Sequence, residues 1–418
     1  MLEAVRNAWK IKELRQRIFF TLSMLIVFRI GAHIPIPGIN AEVLADFFQE
    51  DTIFGFYNVI AGGALSNFTI FAMGIMPYIN ASIIMQLLTV VVPKFKEWSE
   101  EGPEGRKKMI QVIRYGTILL AFLQATGMTF SLIQPAITDH QFSSYMVIII
   151  SLTAGTAFLM WLGELITEKG IGNGISLLIF GGIIAGFPAQ VGMVIELLQL
   201  GEINFLTLFP IILVLLGLIV GIIALEVGRR RIPVQYAKRV VGRRIYGGQS
   251  THIPLKINQS GVIPVIFASA ILMFPATIAM FINHPIAQGF AEALGWGTFL
   301  NTLLYAMFII LFAYFYTAIQ FDPTKIAGDI KKYGGFIPGL RPGRPTSEYL
   351  GKVSRRLTTV GAFSLAFIAV MPILMQDLSR INLMFQGTAL IIIVGVALET
   401  MRQIESQMLM RNYQGFMK

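Results

Sequence analysis

Long apolar segments separated by short polar gaps recur along the whole sequence. An α-helix needs about 20 apolar residues to cross the hydrocarbon core of a bilayer, and most of the segments reach that length. The first is short, and the fifth is interrupted by three glycines and Pro188. The pattern predicts an all-α membrane protein that crosses the bilayer repeatedly. Its ten predicted spans are residues 18–34, 68–92, 112–133, 146–166, 175–195, 207–227, 260–282, 299–321, 357–376 and 385–401.

Lysine and arginine residues gather in alternate gaps, and this alternation assigns a side of the membrane to nearly every connection. The gaps that contain neither residue type are 35–67, 134–145, 196–206 and 283–298. The basic stretches are the arm 1–17, the connection that holds Lys94 to Lys108, and the connections 228–259 and 322–356. Basic connections remain in the cytosol. We therefore expect both termini to be cytosolic.

The ten spans divide into two groups of five. An odd number of spans in each half means that the second half enters from the opposite side, as in inverted-topology repeats. The two halves share no convincing sequence match, so this prediction depends on parity alone. The expected division is an amphipathic cytosolic arm, a first half, a second half and a cytosolic tail, at 1–17, 18–200, 201–401 and 402–418.

Composition supports a membrane protein, and the positive charge lies on one predicted side of the membrane. Of 418 residues, 55% are hydrophobic and 13% are charged, whereas soluble domains carry about 25% charged residues. The net charge of +10 falls on the inner side, which favours lipid head groups and an acidic or RNA-bearing partner. Turn signals such as Gly247-Gly248 and Pro338-Gly339 predict that the two long basic connections form ordered hairpins or fingers.

The residue patterns of common enzymes are missing. No HExxH, GxSxG or GxxxxGK[ST] motif occurs, there are no cysteines, and the four histidines form no metal-binding pair at helical spacing. The stretch GIGNGIS at 170–176 superficially resembles a phosphate-binding loop, but a turn between the fourth and fifth spans is the better interpretation. We expect no catalytic residue, no metal and no cofactor.

Ionisable residues are scarce at membrane depth. Arg29 lies in the outer part of the first span and can snorkel outward, while Glu164, Glu226 and Glu399 lie near cytosolic helix ends. An ion-coupled solute transporter usually places such groups near the midplane. An inverted-repeat secondary transporter remains the alternative function, and this scarcity counts against it.

One outer segment, between Asp51 and Asn67, is apolar and too short to cross the membrane. Non-helical backbone at membrane depth must be buried in protein or face a water-filled cavity. The segment is therefore either a re-entrant piece packed in a central cavity or an interfacial helix on the outer surface, and physical reasoning alone leaves both open.

The second span of each half contains prolines and polar residues. In the second span Pro77 is expected to bend the helix, and Asn80, Ser82 and Gln86 are polar at membrane depth; the seventh span contains Pro264 and Pro275. The polar residues either form interhelical hydrogen bonds or line a watery path or gate. Pro-interrupted helices in equivalent positions are what a symmetric central site requires.

Several long stretches form a characteristic series along the chain. They are GIMPYINASIIMQLL, EGPEGRKK, WLGELITEKGIGNGIS, AKRVVGRRIYGGQSTHIPLKIN followed by GVIPVIFAS, and GGFIPGLRPGRPT. Together they resemble the SecY family of protein-conducting channel subunits. The resemblance implies two five-helix halves around an hourglass pore that opens laterally between the second and seventh helices. Residues of this lateral gate are Asn80, Ser82, Gln86, Pro264 and Ser269.

The resemblance also implies a ring of six apolar side chains at the constriction, placed at Ile75, Ile79, Ile179, Ile183, Ile266 and Ile392. Ile263 is the alternative in the seventh span, and the run Leu390–Ile393 permits a shift of one in the tenth. The outer apolar segment, about 52–67, then becomes a plug under the ring. The plug residues are Phe54, Gly55, Phe56, Tyr57, Asn58, Val59, Ile60, Ala61, Gly62, Gly63, Ala64 and Leu65.

Partners follow from the same resemblance. The basic connections become docking fingers for the ribosome or the SecA motor ATPase, with Arg243, Arg244 and Arg341 carried over. The family further implies the small membrane subunits SecE and SecG, preprotein signal sequences and membrane lipids as partners, and the bacterial cytoplasmic membrane as the location.

Overall fold

The computed structural model describes residues 9, 11–40, 58, 61–201, 204–236, 239–241, 244–246, 250–281, 289, 293–295, 298–379 and 387–415. The described chain is mostly helical. Its helices are α1 (Lys12–Gly31), α2 (Met76–Val91), α3 (Pro93–Glu100), α4 (Pro103–Gly127), α5 (Phe142–Lys169), α6 (Gly174–Gln199), α7 (Phe205–Val227), α8 (Ile263–Phe281), α9 (Phe299–Gln320), α10 (Pro323–Lys332), α11 (Arg344–Ser379) and α12 (Gly387–Gly415). Its strands are β1 (Arg229–Tyr236), β2 (Arg239–Val241), β3 (Arg244–Tyr246), β4 (Ser250–Lys256) and β5 (Gly335–Phe336).

A helix lies over each of the ten predicted spans. Seven of the described helices are long and apolar enough to cross a membrane, and the bent pair α2 and α3, which turns by 102°, raises the number to eight. The protein is therefore a multi-pass membrane protein. The largest hydrophobic core joins both halves, because residues of α1, α2, α5 and α6 share it with residues of α7, α8, α9, α11 and α12.

The second predicted span is only partly helical. Residues 61–75 form a series of turns, and helix begins at Met76 with Pro77 as its second residue. Proline is well tolerated in the first helical turn, where its missing N–H has no intrahelical acceptor. The prediction that Pro77 bends this helix was wrong, because Pro77 lies in the first turn of the helix.

The fifth span is continuous, which corrects the expected interruption at its glycines and Pro188. Helix α6 runs without a break through Pro188. The Asn173 side chain caps its start by accepting hydrogen bonds from the backbone N–H groups of Ile175 and Ser176, at 3.1 and 3.3 Å. Gly172 precedes the cap with φ +88°, so the predicted glycine turn between the fourth and fifth spans is confirmed.

Two helices extend well beyond their predicted ends. Helix α11 begins at Arg344 instead of residue 357, and α12 continues to Gly415 instead of ending near 401. Hydropathy marks only the apolar part of a helix, so polar extensions outside the bilayer escape it. Within the first of these extensions Arg344 Nε donates to Glu348 Oε1 at 3.0 Å, a pair at helical spacing.

The two long basic connections form one folded unit, not two separate fingers. Strand β1 pairs antiparallel with β4, from Arg229 opposite Lys256 to Gln235 opposite Ser250, and its other edge pairs with β5. A small core under this sheet contains Ile232, Val234, Leu255, Ile330, Ile337 and Leu350. The predicted order of both connections is confirmed, and in the first connection β2 and β3 form a further antiparallel pair. The predicted turn at Gly247-Gly248 lies outside the described residues.

Candidate functional site

The six candidate ring isoleucines belong to four helices or their starts and share one hydrophobic core. Ile75 directly precedes α2, Ile79 lies in α2, Ile179 and Ile183 lie in α6, and α8 and α12 carry the other two. Five of the side chains are only 2–5% exposed and belong to the largest core cluster, and Ile266 packs against it. Both halves therefore contribute apolar side chains to this core. The neighbours Ile263, Leu390 and Ile391 pack in the same cluster.

The described end of the candidate plug is buried against that cluster. Ala61 and Ala64 belong to it, and Leu65 lies in an adjoining core. This burial rules out a surface helix for residues 61–65. Residues Phe54 to Tyr57, Val59 and Ile60 of the candidate plug lie outside the described residues.

Hydrogen bonds fix the shape of this short segment. The Asn58 Oδ1 atom accepts from the backbone N–H groups of Leu65 and Ser66, at 3.1 and 3.0 Å. Gly62 and Gly63 both have positive φ, +69° and +82°, so the chain reverses here in a conformation that favours glycine. The result is a compact turn whose backbone is directed by one asparagine.

Two neighbouring elements hold the turn. The Arg29 Nη1 atom of α1 donates to the carbonyl oxygen of Gly62 at 2.7 Å. A Cβ atom added to Gly62 would lie 2.9 Å from the Cα atom of Gly182 in α6. The contact of the Arg29 guanidinium with a main-chain carbonyl was not expected from the sequence.

Helices α2 and α8 contact each other, as a gate between them requires. On α2 the candidate gate residues Asn80, Ser82 and Gln86 are half-buried, and on α8 Pro264 and Ser269 are buried. The Ser269 hydroxyl donates to the Ile266 carbonyl of its own helix, at 2.8 Å. Within the part of the chain that the structure describes, the side chains of Asn80, Ser82 and Gln86 form no hydrogen bond, so the interhelical bonding considered for them is not observed.

A buried polar network at the start of α8 was not expected from the sequence. The Asn258 Nδ2 group donates to Glu226 Oε1 at 2.7 Å and to the Gly261 carbonyl at 3.0 Å, while the Ser260 hydroxyl donates to Asn258 Oδ1 at 3.1 Å. Arg402 of α12 donates to the Glu226 carbonyl and lies 4.0 Å from its carboxylate. Sequence separations of up to 176 residues leave no local signal for this network.

Two of the three candidate docking residues are described, and both lie in the two long basic connections. Arg341 is exposed in a tight turn, where Leu340 N donates to Ile337 O at 3.0 Å and Thr346 Oγ1 donates to the Arg341 carbonyl at 2.8 Å. Its side chain forms no ion pair with any described residue. Arg244 is the first residue of β3, and Arg243 lies outside the described residues.

The chain matches known proteins along nearly its whole length. Residues 69–401 match the SecY family model. The chain is 50% identical over 431 residues to a protein translocase subunit SecY of Halalkalibacterium halodurans, covering all of both chains. It is 47% identical to that of Thermotoga maritima, covering 100% of this chain and 98% of the relative. For the Escherichia coli K12 subunit the identity is 46%, and the coverage is 97% and 94%.

Solved structures share the fold. A structure described as a protein conducting channel superposes with a TM-score of 0.68 at 20% identity, covering 94% of this chain and 92% of the other. The channel of a canine ribosome–channel complex from the endoplasmic reticulum superposes with a TM-score of 0.64 at 19% identity, with the same coverage.

Proposed function

Because the chain belongs to the SecY family, we infer that it is the channel-forming subunit of a protein translocase and not an enzyme. Relatives that are 46–50% identical to it over nearly the full length of the chain are named protein translocase subunit SecY. The alternative of an inverted-repeat solute transporter finds no support among them. The structural observation that carries the inference is the central apolar cluster, to which both halves contribute isoleucines and against which the turn at 61–65 packs.

We propose that the six isoleucines form the seal of the channel. A narrow apolar constriction resists wetting and therefore resists ions. Apolar side chains can nevertheless be displaced around an extended polypeptide, because no specific hydrogen bond has to be broken. The plug, proposed for residues 54–65, adds a second barrier by filling the space beside the ring. With a deformable ring and a displaceable plug, the channel can open widely for a polypeptide and close tightly against ions.

The lateral gate is proposed for the contact between α2 and α8. Asn80, Ser82 and Gln86 lack hydrogen-bond partners among the described residues, so separating the helices at these positions breaks no bond of theirs. The same side chains can solvate the polar backbone of an entering signal sequence. Pro264 and Ser269 belong to the opposite wall of this gate.

Binding of partners is proposed for the cytosolic unit. Arg341, Arg243 and Arg244 are assigned to docking the ribosome and the SecA motor, because forked guanidinium donors suit both RNA phosphates and carboxylates. SecE and SecG are the proposed membrane partners. The distribution of basic residues supports the bacterial cytoplasmic membrane with both termini in the cytosol.

A crosslinking experiment tests the polypeptide path. The chain contains no cysteine, so Ile79→Cys introduces a single thiol at the proposed ring. A preprotein with one cysteine, arrested during SecA-driven export into vesicles, should form a disulfide with this thiol. The matched control is Leu119→Cys on α4, whose side chain is 61% exposed on the outside of the helical body. Equal crosslinking at both positions, or none at Ile79, would contradict the proposed path.

A further inference from the structure

A single cation of the first span contacts the segment 61–65, which packs in the largest hydrophobic core. Arg29 lies in the last turn of α1, and its Nη1 atom donates to the Gly62 carbonyl oxygen at 2.7 Å. None of the described carboxylates lies within 4.0 Å of its guanidinium. A charged group at membrane depth is costly unless it is solvated or paired, so this carbonyl is an important partner of the cation.

The acceptor is placed accurately by its surroundings. Gly62 adopts φ +69°, and its Cα approaches α6 so closely that an added Cβ would lie 2.9 Å from the Gly182 Cα atom and 3.2 Å from Arg29 Nη1. Gly62 is thus enclosed between the arginine of α1 and the backbone of α6. A carbonyl in such a position presents its oxygen to Arg29 only while residues 61–65 remain packed.

We propose that Arg29 is a positioning residue that holds residues 61–65 in the packed, closed arrangement. The hydrogen bond has a charged donor, and such bonds are stronger than neutral ones. Its acceptor is main chain, so the contact does not depend on which side chains the segment carries. Displacing the segment breaks this one bond, and the strength of the bond therefore helps to set the ease of opening.

The consequence for gating rests on the proposed channel function, but the positional claim can be tested without transport. Ala64 is fully buried, and the chain has no native cysteine. Ala64→Cys therefore reports the position of the segment through its rate of reaction with a small water-soluble maleimide. The rate is to be measured with the full chain in membranes, with Arg29 intact and as Arg29→Gln and Arg29→Lys.

The Gln variant should react about tenfold faster or more, because a charged hydrogen bond is lost. The Lys variant should fall between, since it keeps the charge and loses the planar donor pair. A second reporter, Ala121→Cys in α4, is equally buried and should remain unreactive in all three backgrounds. Unchanged labelling at position 64, or an equal rise at 121, would overturn the proposal.

The two proposals fail separately. If labelling at position 64 does not respond to Arg29 while Ile79→Cys still crosslinks to the preprotein, the channel assignment stands and the role of Arg29 does not. If labelling responds but no crosslink forms, Arg29 holds the segment and the polypeptide path lies elsewhere.

Discussion

Helices α2 and α8 begin with the same local structure, but the segments that lead into them are held in place by different contacts, mainly apolar before α2 and polar before α8. Each starts two residues after a glycine with positive φ, +54° at Gly74 and +63° at Gly261, and each has proline as its second residue. The sequences are GIMP and GVIP. Such a repeated start is what two inverted halves predict.

The chain that leads into each start differs. Before Gly74 lies the apolar turn whose charged contact is the bond from Arg29 to Gly62. Before Gly261 lies the network in which Asn258 bonds both Glu226 and Ser260 in a buried site. Buried polar networks are costly to open once all their members are satisfied. The segment that leads into α2, which we call its entry, is therefore the more easily displaced. The corresponding entry to α8 is the fixed one.

Disrupting the fixed entry should have the largest effect. Asn258→Asp removes the amide donor and puts a second carboxylate beside Glu226, so we expect the free energy of unfolding to fall by about 3–5 kcal/mol. Asn258→Ala should cost less, about 1–3 kcal/mol, because it leaves groups unsatisfied without adding charge. Denaturant unfolding of the purified protein in detergent measures both.

A swap of donor and acceptor provides the control for this network. Combining Asn258→Asp with Glu226→Gln restores one amide facing one carboxylate. The double variant should regain part of the lost stability, because the contact between positions 226 and 258 returns while the bond from position 258 to the Gly261 carbonyl stays lost. If it remains as unstable as Asn258→Asp alone, the hydrogen bond between these two side chains does not hold the start of α8.

The adjacent Gly62 and Gly63 allow a matched test of the entry to α2. Gly63→Ala meets no atom within 4 Å and should suffer only the strain of positive φ, about 1–2 kcal/mol. Gly62→Ala adds close approaches to the Gly182 backbone and to the Arg29 guanidinium, which should cost about 1–3 kcal/mol more. Labelling of Ala64→Cys should therefore accelerate more in Gly62→Ala. Equal acceleration in both variants would show that neither close contact of Gly62 holds the segment.

The two helix starts themselves should respond alike. Gly74→Ala and Gly261→Ala face similar strain, and a Cβ at 74 would make only an ordinary 3.5 Å contact with Ala61, while one at 261 meets nothing within 4 Å. Each should lower the free energy of unfolding by about 1–2 kcal/mol. Thermal unfolding of the pair provides the measurement, and a large inequality would show that the starts are alike in sequence only.

The smallest effect on stability is expected for Arg341→Glu. The side chain is exposed, so the free energy of unfolding should change by about 0.5 kcal/mol or less. Binding of SecA or the ribosome should nevertheless weaken strongly, because repulsion replaces attraction at the interface. Co-sedimentation measures binding, and Lys352→Glu on α11 is the control for a general loss of positive charge. Equal weakening by both would mean that position 341 has no specific role.

Hydropathy predicted the helices of this fold and turn signals predicted the ordered nature of its basic connections, because both are local properties of the sequence. They did not predict that residues 228–259 and 322–356 share one core, since the pairing of β1 with β5 joins segments about a hundred residues apart. The contact of Arg29 with Gly62 and the contact of Asn258 with Glu226 depend on similar long-range packing. The ring positions came from resemblance, because an isoleucine that faces a pore and one that faces lipid look the same in a periodic pattern.

Helix α11 connects the folded unit of the two basic connections to the membrane helices. With 36 residues it is about 54 Å long, whereas the hydrocarbon core is about 30 Å thick, so the helix extends well beyond the hydrocarbon core. Strand β1 follows α7 after Gly228 alone, which gives the unit a second short mounting on the bundle. The turn that holds Arg341 is therefore joined to the membrane helices of the second half by regular structure on both sides, through α11 and through the pairing of β5 with β1.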